Sequence, residues 1–337
     1  MDHQHHSANI SALSQSNGPL SPKGPTATIK NRAWFRQLPT GQYRPTDTRR
    51  QVHRQLLNTE QDVSPKVKQK KQAIVLAGPP GAGKSTVLHQ ILGDKHGQYR
   101  VLDADKFKEA LLDTAVQDGS YNTWIKPAEV QALEAQGHRF YPLELASLVH
   151  EESSMLMKTL RDESIARGDN IVIDSVLSDE TNALALGEKL EKAGYSIHVV
   201  DVEVPFEVSQ QRIQQRWLQA RQEAEQDGSG LGGRWVPSEF ARTVFDGPDG
   251  KSKPEHAAQQ LAQRCGAVTE YRLFRTTTAQ AQAATSVPTL ERHLARATPN
   301  GPLLDHDVAQ VMNRTQTFRP KNHLQHNKPR RGHRFER

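Results

Sequence analysis

The apolar run Ala73-Ile74-Val75-Leu76-Ala77 has no polar alternation, and it passes through Gly78-Pro79-Pro80-Gly81-Ala82-Gly83 into Lys84-Ser85-Thr86-Val87-Leu88-His89-Gln90-Ile91-Leu92. An unbroken run of this kind reads as a strand buried on both faces, and the segment after the glycines reads as a helix. The alternation recurs along the chain. Tyr99-Arg100-Val101-Leu102 predicts a short strand that ends at Asp103-Ala104-Asp105, with a helix over 106–112. Leu145, Leu148, Val149, Leu156 and Leu160 fall at helical spacing and predict one amphipathic helix from Pro142 to Arg167, stopped by Gly168. A strand over 170–174, a helix over 180–193, a strand over 196–202 and a helix over 206–226 follow. A glycine-containing loop over 227–233 leads through Pro237 and Ser238 into a further helix. Such alternation predicts an α/β fold with a doubly wound parallel sheet. Residues 113–141 mix polar stretches with Gly119, Trp124, Pro127 and Gly137, and read as a helical insertion able to fold over a site.

Charge divides the chain into a centre and two ends. The net charge of +6 over 337 residues is the balance of +8 in residues 1–71, +7 in residues 313–337 and −9 between them. The expected organisation is a disordered polar, basic leader over 1–65, a folded domain over 66–275, a helical extension over 276–312 and a disordered basic tail over 313–337. Cys265 is the single cysteine, which excludes an intramolecular disulfide framework and a cysteine metal cluster. No run approaches the ~18 apolar residues of a spanning helix, and the N-terminus lacks the apolar centre of a secretory signal.

The glycine-rich segment carries the most specific chemistry. Gly78 to Thr86 match G-x-x-x-x-G-K-[ST] between a strand and a helix, a context in which backbone N–H groups and a helix N-terminus surround a phosphate. Gly78, Gly81 and Gly83 allow close phosphate approach, Lys84 is placed to reach the β- and γ-phosphates, and Ser85, followed by Thr86, is placed to hold Mg²⁺. ATP and Mg²⁺ are therefore the expected ligands.

Strand ends beside such a loop face the ligand crevice, so Asp103, Asp105 and Asp174 are expected on the metal and acceptor side. The same aspartates would also serve as helix N-caps. Arg216 on a helix and Arg234 beyond the glycine loop are candidates to clamp phosphate, although Arg212 and Arg221 have nearly equal claims from position alone. Glu152 lies on the apolar face of its helix and is a candidate substrate contact.

Taken in order, these motifs resemble the zeta toxin family of P-loop kinases. The resemblance rests on the phosphate loop, Asp103-Ala104-Asp105-Lys106-Phe107-Lys108, the helix opening His150-Glu151-Glu152-Ser153-Ser154, Gly168-Asp169-Asn170-Ile171-Val172-Ile173-Asp174, Val204-Pro205, Arg216 and Gly233-Arg234-Trp235-Val236-Pro237. It implies that Lys84 and Ser85 hold ATP and Mg²⁺, that Asp105 is the general base, and that Arg216 and Arg234 clamp the γ-phosphate. The family pattern after the third strand is D/E-G-T, where this chain has Asp174-Ser175-Val176, a departure on the acceptor side.

The resemblance implies an ATP-dependent kinase acting as a toxin on a hydroxyl of a nucleotide-linked metabolite, first UDP-N-acetylglucosamine at the 3′-hydroxyl of its amino sugar. The alternative is a translocated effector that phosphorylates a ribose hydroxyl of NAD. A polynucleotide kinase and a non-catalytic ATP-binding module are further readings, the former resting only on the basic ends. The resemblance also implies a small antitoxin or chaperone partner that covers the nucleotide site. Nucleic acid is not the expected substrate. The expected location is the cytoplasm of the producing bacterium, or a target cell reached through a specialised secretion system.

Overall fold

The central strand forms from the apolar run because each of its faces meets a different core. Ala73, Val75 and Ala77 join a large cluster with Leu111, Leu156, Ile173 and Leu261, whereas Ile74 and Leu76 join a smaller one with Val87, Leu88, Val202 and Val208. With both faces covered, residues 73–77 have no position for a polar side chain. The computed structural model describes residues 3–228, 230–283 and 287–317.

Along the chain these elements are α1 (His3–Leu13), β1 (Phe35–Gln37), β2 (Tyr43–Pro45), α2 (Asp47–Asp62), β3 (Gln72–Ala77), α3 (Lys84–Leu92), β4 (Arg100–Asp103) and α4 (Ala104–Gln117). They continue with α5 (Ala128–Ala135), α6 (His150–Arg167), β5 (Ile171–Asp174), α7 (Glu180–Lys192), β6 (Ser196–Glu203), α8 (Phe206–Asp227), α9 (Ser238–Phe245) and α10 (Lys253–Arg264). The last are β7 (Val268–Arg275), α11 (Thr278–Gln282), β8 (Thr289–Arg296), β9 (Leu303–Asp305) and α12 (His306–Thr317). Seven strands form one sheet in the order β4-β5-β3-β6-β7-β8-β9, and β1-β2 form a separate hairpin.

The pairs from β4 to β7 are parallel, as predicted, but β8 and β9 add antiparallel to the edge. The sheet is therefore mixed, and the stretch expected to be a helical extension over 276–312 supplies two strands as well as α11 and most of α12. Thr289 to Arg296 carries too few apolar residues to read as a strand, yet it completes the exposed edge of β7 through backbone hydrogen bonds that need no particular side chain. The helix predicted from Pro142 is also divided: Pro142–Val149 is a 3₁₀ segment and α6 starts at His150.

The leader departs most from expectation. Residues 3–62 are folded against the α/β domain, with Ile10, Leu20, Ala27, Ile29 and Phe35 buried in its larger core. These apolar residues are too scattered to show a period, and each fills a separate site on a surface made by other elements. Buried polar contacts complete the attachment. His6 contacts Glu144 at 3.2 Å, and Glu144 also accepts hydrogen bonds from Arg221 at 2.7 Å and Trp217 at 3.0 Å. Thr26 donates to the Ile125 carbonyl at 2.9 Å, and Ser147 donates to that of Leu20. In the tail expected over 313–337, α12 reaches Thr317, and 318–337 lie outside the described residues. Among the described residues no helix is long and apolar enough to cross a membrane.

Candidate active site

Parallel strands deliver their C-terminal ends to one edge, and here the register makes that delivery specific. Asp103 of β4 pairs with Asp174 of β5, and Asp174 pairs with Leu76 of β3, two residues before Gly78. The phosphate loop and both carboxylate strands thus end side by side. Gly78, at φ 136°, lies against β6 so closely that a Cβ would sit 2.1 Å from the Val202 carbonyl oxygen. Gly83 caps α3 in the left-handed region at φ 96°, and Gly81 is likewise at positive φ. The loop is braced from α8, where Ser209 donates to the Pro80 carbonyl at 2.7 Å and Arg212 to that of Gly81 at 3.2 Å.

A cavity of about 820 Å³ opens over this edge. Its walls include Gly81, Gly83, Lys84, Ser85, Asp103, Asp105, Asp174, Arg216 and Arg234, so the structure brings nearly all of the predicted site residues together. Thr86, the next residue of α3, is exposed. The volume is near the upper end of ligand sites, which run from about 300 to 1,000 Å³. Helix α8 separates the arginines that sequence left equivalent. Arg212 and Arg216, one turn apart, face the cavity, whereas Arg221 lies about 140° around the helix from Arg216 and is buried against Glu144.

Glu152 is a correction. It is fully buried and accepts hydrogen bonds from Arg49 Nε at 2.6 Å, Arg49 Nη2 at 3.0 Å and His53 Nε2 at 2.6 Å. Its position on the apolar face was legible, but the residues that meet it there belong to α2. It anchors the leader and lines no part of the cavity.

Electrostatics within the cavity are tightly set. Asp105 pairs with Arg234 at 2.8 Å and with Lys108 at 3.0 Å. Burial alone would push its carboxyl up, but Arg234, Lys108 and Arg216 outweigh burial and hold it below the usual carboxylate range. Asp103 moves the other way, to about 6, because burial and the neighbouring Asp105 and Asp174 outweigh its hydrogen bond from the Asp105 N–H. Burial also raises Asp174, against the attraction of Lys84. Lys84 is lowered by burial, although Asp174, Asp105 and Asp103 oppose that shift, and its Nζ donates to the Gly78 carbonyl at 3.0 Å. Crowded carboxylates next to a glycine cradle are a donor set that fits a divalent cation together with a phosphate chain.

Sequence reasoning missed two features of this cavity. Lys108 stands one turn from Asp105 on α4, a spacing that was visible. Ser14, Gln15, Ser16, Ser21 and Pro22 of the leader form part of the wall, and no local pattern marked them. The Ser175 hydroxyl, at the position where the family pattern departs, is buried without a hydrogen-bond partner among the described residues.

Comparison with solved structures finds the same fold elsewhere. The complex of AvrRxo1-ORF1 and AvrRxo1-ORF2 with sulphate ions matches at a TM-score of 0.52 and 17% identity, covering 80% of this chain and 73% of that one. The same pair of proteins with ATP gives 0.51 and 17%, with equal coverage. The PezAT toxin–antitoxin system of Streptococcus pneumoniae gives 0.42 and 15%, covering 69% and 78%. None of the curated proteins matches this chain in sequence. The family model described as Zeta toxin matches residues 54–123 and 129–269, a span that takes in the phosphate loop, both carboxylate strands and the three arginines of the cavity. Over half of its length, and across the cavity that organises it, this chain belongs to the zeta toxin family.

Proposed function

We propose that this chain is an ATP-dependent kinase that transfers the γ-phosphoryl group of ATP to a hydroxyl of a small nucleotide-linked metabolite. The observation that carries the reading is that the ionised Asp105 stands in the same cavity as Lys84 and Ser85 and is held there by Arg234. The phosphate-loop amides and Lys84 hold the phosphates, while Arg216 and Arg234 offset charge on the transferring group. Ser85 and Asp174, with Asp103 beside them, are the residues that would hold Mg²⁺, whose charge offsets that of the β- and γ-phosphates when it is bound.

Arg234 pairs with Asp105 at 2.8 Å. A γ-phosphate draws that guanidinium toward itself, which weakens its hold on the carboxylate and returns Asp105 toward ordinary basicity when a base is needed. Asp105 then takes the proton of the acceptor hydroxyl as the new O–P bond forms, and the bond to the bridging oxygen breaks with departure of ADP. Ser14, Gln15, Ser16, Ser21 and Ser175 line the same cavity, and we assign them to the acceptor. Neutral donors and acceptors of this kind suit sugar and ribose hydroxyls. UDP-N-acetylglucosamine is the first candidate and NAD the second.

The AvrRxo1 neighbours are complexes of two proteins, and one of them contains ATP. We extend the reading to a small partner protein that closes the nucleotide site of this chain. The test is to incubate the purified chain with ATP, Mg²⁺ and each metabolite and to follow phosphate gain by mass spectrometry. Asp105→Asn is expected to bind ATP normally and to lose transfer by roughly 10²–10⁴-fold. Failure of the wild-type chain to phosphorylate any metabolite in an untargeted extract, with ATP bound, would sink the proposal.

A further inference from the structure

Away from the kinase cavity, on the far side of β6, the sheet gathers three histidines and a glutamate. His198 of β6 is paired in register with Glu270 of β7, and Arg272 of β7 with His293 of β8. The chain then turns through β9 and brings His306, the first residue of α12, onto His293 with ring centroids 3.8 Å apart and planes at 15°. His293 Nε2 contacts Glu270 Oε1, and His198 Nδ1 lies 3.3 Å from Oε2 of the same carboxylate. One ligand atom from each of Glu270, His293 and His306 falls within 4.8 Å of the others, and all three residues are half-buried.

We propose that Glu270, His293 and His306 form a binding site for a divalent transition metal of the zinc type, which ties the C-terminal strands and α12 to the kinase sheet. Two imidazoles and one carboxylate are a ligand set that zinc accepts, with water in the fourth position. Bond lengths near 2.1 Å in a tetrahedron place ligand atoms about 3.4 Å apart, so metal binding draws the ligand atoms together by about 1 Å and turns one imidazole out of its stack on the other, because two nearly parallel rings cannot both aim an in-plane lone pair at one ion. Half-burial limits access of bulk water while leaving a path for the ion.

Arg272 is the competing partner. Its Nε and Nη2 donate to Glu270 Oε1 at 2.8 and 2.5 Å, and Nε also lies 3.4 Å from His293 Nε2. Metal binding requires Nε to leave His293, whereas the bond from Nη2 to the carboxylate is the kind of supporting contact that orients a metal-binding oxygen. His306 has contacts on both ring nitrogens, Nε2 with Gln310 at 3.0 Å and Nδ1 with Asp307 at 3.3 Å, so the nitrogen that takes the metal gives one of them up. All three ligands fall beyond residue 269, where the family match ends. Strand β8 also links it to the phosphate loop, because Pro288, just before β8, stands 3.6 Å from where a Cβ on Gly83 would lie.

The test uses the untagged full-length chain stripped with chelator and titrated with Zn²⁺ by calorimetry, and with Co²⁺ by visible absorption. One equivalent is expected, with the intense absorption bands of tetrahedral Co²⁺ and a rise in melting temperature. His293→Gln and His306→Gln should each weaken binding at least tenfold. A double variant His3→Gln/His5→Gln controls for chelation by the histidines of α1 and should leave binding unchanged. If His293→Gln does not fold, His306→Gln at the start of α12 still decides the question. Absence of binding, or binding that survives both site substitutions but disappears in the α1 control, would show that the cluster is an ion-pair network held by Arg272 and overturn the proposal.

Discussion

Replacing Glu152 distinguishes an anchor from a substrate contact. Among the described residues its carboxylate is the anionic partner of Arg49, which is 4% exposed, and it also accepts from His53. Glu152→Gln keeps the shape but removes the charge, leaving a buried guanidinium uncompensated. Loss of one partner of a buried pair costs about 3–5 kcal/mol. Against a total stability of roughly 5–15 kcal/mol this is severe. At about 2–4 °C per kcal/mol for a domain of this size, it corresponds to a fall in Tm on the order of 6–20 °C.

Calorimetry gives the loss, and limited trypsin digestion locates it, because α2 should be cut before the kinase sheet if the leader separates first. The double variant Arg49→Met/Glu152→Leu should recover most of the stability, since an apolar pair of similar volume carries no desolvation cost. Burial alone would raise the Glu152 carboxyl, but His53 and Arg49 outweigh it and hold it below its ordinary value. The pair's contribution is therefore fully present above the pKa of an unfolded glutamate, about 4.3, and is lost as pH falls through the lower folded value. Wild-type Tm should drop across that acid range by more than that of Glu152→Gln. An unchanged melting curve in Glu152→Gln, with a selective rise in acceptor KM, would refute this account and restore Glu152 to the substrate site.

Gly78→Ala places a methyl group 2.1 Å from the Val202 carbonyl oxygen at a positive φ, a clash and a strain of roughly 1–3 kcal/mol each; isothermal titration should show ATP affinity lost along with part of the thermal stability. Burial, reinforced by Asp201, raises the Glu203 carboxyl, so the folded chain holds that proton more tightly than the unfolded one and stability falls as pH rises above about 4.3. Glu203→Gln imitates the protonated form and should flatten the Tm profile from about pH 5 to pH 9; a profile as steep as that of wild type would remove Glu203 as its cause. Gln15→Ala/Ser16→Ala alters only the leader's part of the cavity wall and should raise acceptor KM about tenfold, the equivalent of ~1.4 kcal/mol, without changing KM for ATP; equal changes in both constants would count against an acceptor wall there.

The sequence by itself determined the glycine-loop end of the cavity and the strands beside it. A phosphate loop is continuous in the chain, and its strand, glycines, lysine and helix start stand in a fixed order because the anion is held by consecutive backbone groups. The aspartates at 103, 105 and 174 were legible for a related reason, since parallel strands must all end at one edge. What only the tertiary structure decided is everything built from residues distant in sequence. Glu152 became an anchor because Arg49 and His53 arrive about 100 positions away from it. Arg216 parted from Arg221 because one face of α8 meets the cavity and the other meets Glu144. The leader, polar enough to read as disordered, folds because its few apolar side chains enter sites supplied by other elements, and a count of apolar residues in one segment does not register surface that the rest of the chain provides.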